Sequence, residues 1–217
     1  MAEIIKDESK LGLIADEIDL RKESKLAQKV IVELKETIRE NNLKGLSAPQ
    51  IGYNVRIFCI RYGNNDIKTY CNPIIARVKG ITLSREKCAS LPDKQFIRVR
   101  HPEISVVFQD PLSKIVEQKL YGAAAVQFQH EQDHLDGLLL SDVALEIDEE
   151  FDKATDEERK QVIDAYIDSL DLREKEAKKE VEDNTELKEI SDGIEFMTAV
   201  NKGEVKLGKV IDLGKKE

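Results

Sequence analysis

Two imidazoles four residues apart, with a carboxylate between them, are the feature of this chain most ready for chemistry: His130-Glu131-Gln132-Asp133-His134. On a helix, that spacing puts both rings on one face, one turn apart. Two neutral imidazoles so placed grip one divalent ion. Glu131 sits beside them and reaches a water on such an ion without being a ligand itself. The chain has three histidines, and this turn uses two of them.

A catalytic site of this kind needs a third protein ligand and an open position. One class of metallopeptidase continues the motif as H-E-x-x-H-x-x-G-x-x-H. Gly137 falls in place here, but Leu140 stands where the last histidine would. A second class takes a downstream glutamate, for which Glu157 or Glu158 would serve. A third option is a thiolate from an earlier segment. Cys59 lies in the apolar run Ile57-Phe58-Cys59-Ile60 and Cys71 precedes Asn72-Pro73, so both read as small buried residues. Cys88 lies among polar and small residues, where a nearby metal would hold it as thiolate.

The elements that must position these groups follow from periodicity. Leu26 to Asn41 reads as a helix, with Leu26, Val30, Ile31, Leu34 and Ile38 at helical spacing. Strand character marks Arg56 to Arg61, Thr69 to Val78, Phe96 to His101, Ile104 to Gln109 and Lys114 to Tyr121. Gly63-Asn64-Asn65-Asp66 and Asp110-Pro111-Leu112-Ser113 read as hairpin turns. Ala123 to Leu135 reads as the helix that carries the histidines, stopped by Asp136-Gly137. Phe151 to about Val181 reads as one further long helix, with Val162, Ile163, Tyr166, Ile167 and Leu170 as its apolar stripe. Two short apolar clusters, around Ile194 to Val200 and Val205 to Leu213, receive no assignment. The order is helix, antiparallel strands, helix, helical extension, which predicts an α+β fold and not alternating βαβ units.

Composition excludes several function classes. Among 217 residues there is no Trp, and aromatics are 5%, so stacking platforms for single-stranded nucleic acid are scarce. The net charge is −9, concentrated between Glu146 and Asp192, where 19 acidic and 8 basic residues give −11. The first 145 residues carry +1. Neither part is a basic nucleic-acid patch, so no direct DNA binding is expected. No stretch reaches the apolar length of a membrane span, and the first residues lack a signal-peptide core. The expectation is a soluble cytoplasmic protein. Three cysteines argue against a disulfide framework.

Three segments resemble, in order, the motifs of the peptide (polypeptide) deformylases. Gly45-Leu46-Ser47-Ala48-Pro49-Gln50 is similar to the family's G-x-G-x-A-A-P-Q segment, where x is apolar. Glu86-Lys87-Cys88-Ala89-Ser90 is similar to E-G-C-L-S. Gln129 to Gly137 is similar to Q-H-E-x-D-H-L-x-G, with Gln129 and Asp133 matching beyond the generic metal motif. The resemblance covers roughly residues 10 to 145.

That resemblance implies a hydrolase removing the N-formyl group from the initiator methionine of nascent peptides. It implies one divalent metal on Cys88, His130 and His134, with Fe²⁺ the native ion and Zn²⁺, Ni²⁺ or Co²⁺ as substitutes. Glu131 is then the base. The side-chain amide of Gln50 and the backbone N–H of Ala89 are the oxyanion donors. Gly45, Lys44, Lys87, Arg100 and Gln127 fall at substrate-binding positions; Arg100 reads equally well as half of a structural ion pair, and Glu86 as an anchor for its loop. The implied partner is a formyl-methionyl nascent chain, with transient ribosome association. The departures are specific: Leu43 and Lys44 replace a glycine and an apolar residue, Ser47 an alanine, Lys87 a glycine and Ala89 a leucine. Lys87 would be strained if its backbone needed a positive φ. Lys44, Ala123 and Gln127 make the pocket for the methionine side chain less apolar. A catalytic domain over 1–148 and an acidic helical extension over 149–217 complete the expectation. The competing readings are a H-E-x-x-H metallopeptidase and a catalytically altered, metal-binding docking protein.

Overall fold

A computed structural model of the chain describes residues 2–63 and 66–183. In chain order it contains α1 (Glu8–Leu11), α2 (Ser24–Glu40), β1 (Gly45–Ser47), a 3₁₀ turn (Ala48–Ile51), β2 (Ile57–Arg61), β3 (Ile67–Lys79), β4 (Thr82–Cys88), β5 (Leu91–Arg100), β6 (Glu103–Gln109) and β7 (Ile115–Tyr121). There follow α3 (Ala123–Leu135), α4 (Leu140–Val143), β8 (Leu145–Ile147), α5 (Glu149–Lys153) and α6 (Asp156–Asp183). The chain falls into a unit over Met1–Asp152 and a second from Lys153 onward.

The strands form two antiparallel sheets, a five-stranded one in the order β1-β2-β3-β6-β7 and a three-stranded one in the order β4-β5-β8. The fold is α+β, as the order of elements predicts. Helix α2 buries Ala27, Val30, Ile31, Leu34 and Ile38, the stripe its 3.6-residue period defines. They pack with Leu46, Ile51, Ile57 and Cys59 in one core. Each fully buried aliphatic side chain contributes about 1.5–3 kcal/mol. A second core gathers Phe58, Tyr70, Phe108 and Phe128, whose ring centroids lie 4.6–5.1 Å apart in tilted and edge-on arrangements. Phe128 belongs to α3, so this core ties the histidine-bearing helix to the five-stranded sheet.

Helix α3 has the bounds its sequence predicts, and it ends at Gly137 for two reasons. Gly137 takes φ +71°, which suits a residue without Cβ. A Cβ there would also stand 2.7 Å from the carbonyl oxygen of Gly12. Unlike α2, α3 buries polar groups: Gln129, His130, Glu131, Gln132 and His134. Such burial is costly unless each group finds a partner.

Three strands escape the sequence reading. β1 and β8 are three residues long. β4 exposes Leu83 and buries Glu86, against the usual preference, and its pairing with β5 holds it in place. β5 begins at Leu91, five residues earlier than periodicity suggests. The predicted single helix from Phe151 is two helices. Thr155 interrupts it by starting α6 as a cap: Glu158 Oε2 accepts from Thr155 N at 2.8 Å, and Thr155 Oγ1 accepts from Glu158 N at 3.3 Å. The apolar clusters at 194–200 and 205–213 lie outside the described residues, and the turn at 63–66 lies partly outside them. No described helix is long and apolar enough to cross a membrane.

Candidate metal centre

Two elements, α3 and β4, deliver three ligand atoms to one place. His130 and His134 project from α3 with ring centroids 5.2 Å apart. Cys88 ends β4 at the two-residue turn Ala89-Ser90 that leads into β5. The ligand atoms of Cys88, His130 and His134 all lie within 4.8 Å of one another, and all three residues are buried. Cys88 Sγ is 3.2 Å from His134 Nε2. Among the described residues, Cys88 is the one that completes a ligand cluster with the paired histidines. Glu158 instead spends its carboxylate on Thr155.

The surroundings fix the ligands. Glu86 Oε2 accepts from His130 Nδ1 at 2.8 Å, which turns the other ring nitrogen toward the cluster. Arg100 holds the same carboxylate from the far side, Nε to Oε1 at 2.8 Å and Nη2 to Oε2 at 3.0 Å, and gives Nη1 to Asp133 Oδ2 at 2.7 Å. Arg100 is 3% exposed and does not line the cleft, so its guanidinium is committed to this brace. Gln129 clamps the end of β5 to α3: its oxygen accepts from His101 N at 3.0 Å and its nitrogen donates to His101 O at 2.8 Å.

Charges are arranged for a cation. Burial works to raise the Cys88 thiol, but the imidazoles of His130 and His134 outweigh it and bring the thiol down to about 5. Burial works against a charged His130, yet its bonds to Cys88 and Glu86 raise it well above the usual histidine range. A buried spot that favours positive charge between a thiolate and a carboxylate suits a metal ion. The donor set of one sulfur and two imidazoles matches the borderline-soft ligands of zinc or ferrous iron. These residues therefore fit a divalent ion.

Glu131 lies alongside, 1% exposed. Burial pushes its carboxyl up, with His130 and His134 opposing. Oε1 accepts from Gln127 Nε2 at 2.6 Å, while Oε2 is buried with no partner among the described residues. Gly45 faces this carboxylate. A Cβ at Gly45 would lie 2.4 Å from Glu131 Oε1 and 2.9 Å from Gln127 Nε2. A side chain at this position would force the Glu131 carboxylate or its Gln127 partner to move.

Gln50 is oriented by the 3₁₀ turn that carries it. Its Oε1 accepts from Ser47 N at 3.0 Å and from Ser47 Oγ at 3.1 Å. That turns Nε2 toward Ser90 Oγ at 3.1 Å and Cys88 Sγ at 3.5 Å. Ser47, where the family motif has alanine, thus adds a second bond to the amide.

A cleft of about 940 Å³ opens over the centre. Lys44, Gly45, Gln50, Lys87, Ala89 and Gln127 line it, with His130 and Glu131 on its floor. Lys87 is not strained: among the described residues, the non-glycine residues with positive φ are Asn42, Asn72, Asp93 and Ser113. It sits instead at the register shift between Glu86 and Cys88, where β4 bulges against β5. Sequence reasoning did not find that Glu86 orients His130, nor the parts played by Ser47 and Ser90. Only the motif segments containing them could have hinted at them.

A family profile described as polypeptide deformylase matches residues 1–150. A peptide deformylase of Dictyoglomus turgidum is 34% identical over 140 residues, which cover 63% of this chain and 91% of that protein. The crystal structure of the peptide deformylase from Thermotoga maritima matches with TM-score 0.62 and 31% identity, over 66% of this chain and 97% of that one. A Met-Ala-Ser-bound class I type b peptide deformylase from Acinetobacter baumannii matches with TM-score 0.61 and 25% identity, over 66% and 98%. Helices on antiparallel sheets, with a Cys-His-His cluster in a cleft, define a class of hydrolase. This chain belongs to the polypeptide deformylase family. It is an enzyme of the kind that takes the N-formyl group off nascent polypeptides.

Proposed function

We propose that residues 1–148 form a metal-dependent deformylase domain acting on the formyl-methionyl end of nascent chains, with residues 149–217 as an acidic extension. The observation that carries this is the meeting of Cys88, His130 and His134 within 4.8 Å beside a buried Glu131. Cys88, His130 and His134 hold the ion, with Fe²⁺ native and Zn²⁺, Ni²⁺ or Co²⁺ as substitutes. A divalent ion there supplies Lewis acidity that makes water acidic enough to react near neutral pH.

Glu131 accepts the proton of the attacking water at its free Oε2 and later delivers it to the leaving amine. Gln50 Nε2 and the N–H of Ala89 donate to the oxyanion that forms as the formyl carbon becomes tetrahedral. To do so, Gln50 exchanges its contact with Cys88 Sγ for one with the substrate. Gly45 admits the peptide backbone against Glu131. Lys44, Lys87 and Gln127 shape the pocket around the first residues, while Arg100 acts through Glu86 and Asp133.

The Met-Ala-Ser in the Acinetobacter enzyme is what formyl-Met-Ala-Ser becomes on losing its formyl group, which supports the same substrate class here. The test is formate release from formyl-Met-Ala-Ser by metal-loaded protein. Turnover far above that of Glu131→Ala is expected. Equal rates for the two would overturn the reading. Ribosome association is tested separately by cosedimentation. The acidic extension favours contact with ribosomal protein over contact with RNA, because like charges repel.

A further inference from the structure

We infer that the cleft selects N-formyl peptides bearing carboxylate side chains in the residues that follow the formylated one. This rests on the deformylase reading and names a subset of its substrates.

Two lysines carry the inference. Lys44 stands at the head of β1 in the five-stranded sheet, and Lys87 at the bulge of β4 in the three-stranded sheet. Both are exposed and both line the cleft. Each adjoins a residue of the centre: Lys44 precedes Gly45, which faces Glu131, and Lys87 precedes Cys88. Among the described residues, neither ammonium meets a carboxylate. A third cation, Arg61, also lines the cleft and, among the described residues, bonds only the neutral Asn42, at O (3.1 Å) and Oδ1 (2.8 Å).

The acidic groups of the cleft do not offset these charges. Glu86 is buried and taken by Arg100 and His130, and Glu131 is the buried base. The remaining cation, Arg85, is balanced by Asp152 at 2.7 Å. Three unopposed cations thus surround the path of the peptide in a chain whose net charge is −9. Lining a concave wall, they attract an anionic peptide and repel a basic one. Because the lysines stand beside the reacting end, the carboxylates they meet belong to residues close behind the formylated one.

The experiment compares kcat/KM for formyl-Met-Asp-Glu, formyl-Met-Ala-Ser and formyl-Met-Lys-Lys at low and high salt. The acidic peptide is expected to exceed the basic one by about tenfold or more in ~20 mM salt, mostly through KM, shrinking to a few-fold in ~0.5 M salt as screening shortens the field. Lys44→Gln combined with Lys87→Gln should lower the ratio several-fold, the remainder being due to Arg61, whereas the paired Lys→Arg variant should keep it. Equal kcat/KM for the three peptides, or a ratio that the double Gln variant leaves unaltered, overturns the inference while formate release upholds the parent reading. No formate from any of the peptides overturns both.

Discussion

Gln127 and Glu131, one turn apart on α3, are joined by a 2.6 Å hydrogen bond from the amide nitrogen to Oε1. The bond occupies one carboxylate oxygen and leaves the other free in a buried setting. On the proposed mechanism, it leaves Oε2 as the oxygen that takes the proton. Gln127→Leu keeps the volume near this turn but frees the carboxylate to rotate. A fall in kcat of about tenfold is expected, within the usual range for loss of proton-transfer geometry. Metal content should stay the same, measured by elemental analysis on the preparation used for kinetics.

Gly45→Ala tests the same carboxylate from the opposite wall. The added Cβ would fall 2.4 Å from Glu131 Oε1, so Glu131 or β1 must shift. Misplacement of about 1 Å at a reacting centre costs on the order of 100-fold in rate. Steady-state formate release should show that loss, while thermal unfolding stays close to the parent protein. An active Gly45→Ala protein would mean that Glu131 acts from another position.

The brace behind His130 makes a separable prediction. Glu86→Gln keeps an acceptor for His130 but loses the charge between it and Arg100. Metal affinity should drop roughly 10- to 100-fold, the usual effect of removing a partner that orients a ligand. Arg100→Ala strips the buried Glu86 and the half-buried Asp133 of their common partner and should cost about 3–5 kcal/mol of stability, mostly through Glu86. Chelator competition reads the first effect and urea unfolding the second.

The two cysteines away from the centre should resist thiol reagents. Burial pushes the Cys59 thiol up to about 11 and the Cys71 thiol up to about 12. Burial disfavours the thiolate, which is the reactive form, so reactivity should stay low until pH rises toward those values. In the folded protein, alkylation followed by mass spectrometry should leave both unlabelled at about pH 9. Denaturant should expose both.

The site was legible where it is written in a single element. The helical period of α2, the turn-spaced histidines of α3 and the stop at Gly137 are local, and they reappear with nearly the same bounds. Cys88 was reachable by weighing the polar surroundings of three cysteines. Harder features depend on partners far along the chain. β4 is a strand because β5 pairs with it, although its residues alternate against the usual burial preference. Arg100, Glu86 and Asp133 come from β5, β4 and α3, and no spacing announces that they meet. Ser90 meets Gln50 only because the fold brings residues forty positions apart into contact, whereas Ser47 holds it from three positions away in the same turn.

X-ray absorption at the metal edge of zinc-loaded protein tests the centre most directly. One sulfur near 2.3 Å and two nitrogens near 2.0 Å, about the usual zinc distances, are expected, with the sulfur shell lost in Cys88→Ser. A shell of nitrogen and oxygen alone, unaltered by that substitution, would contradict the account.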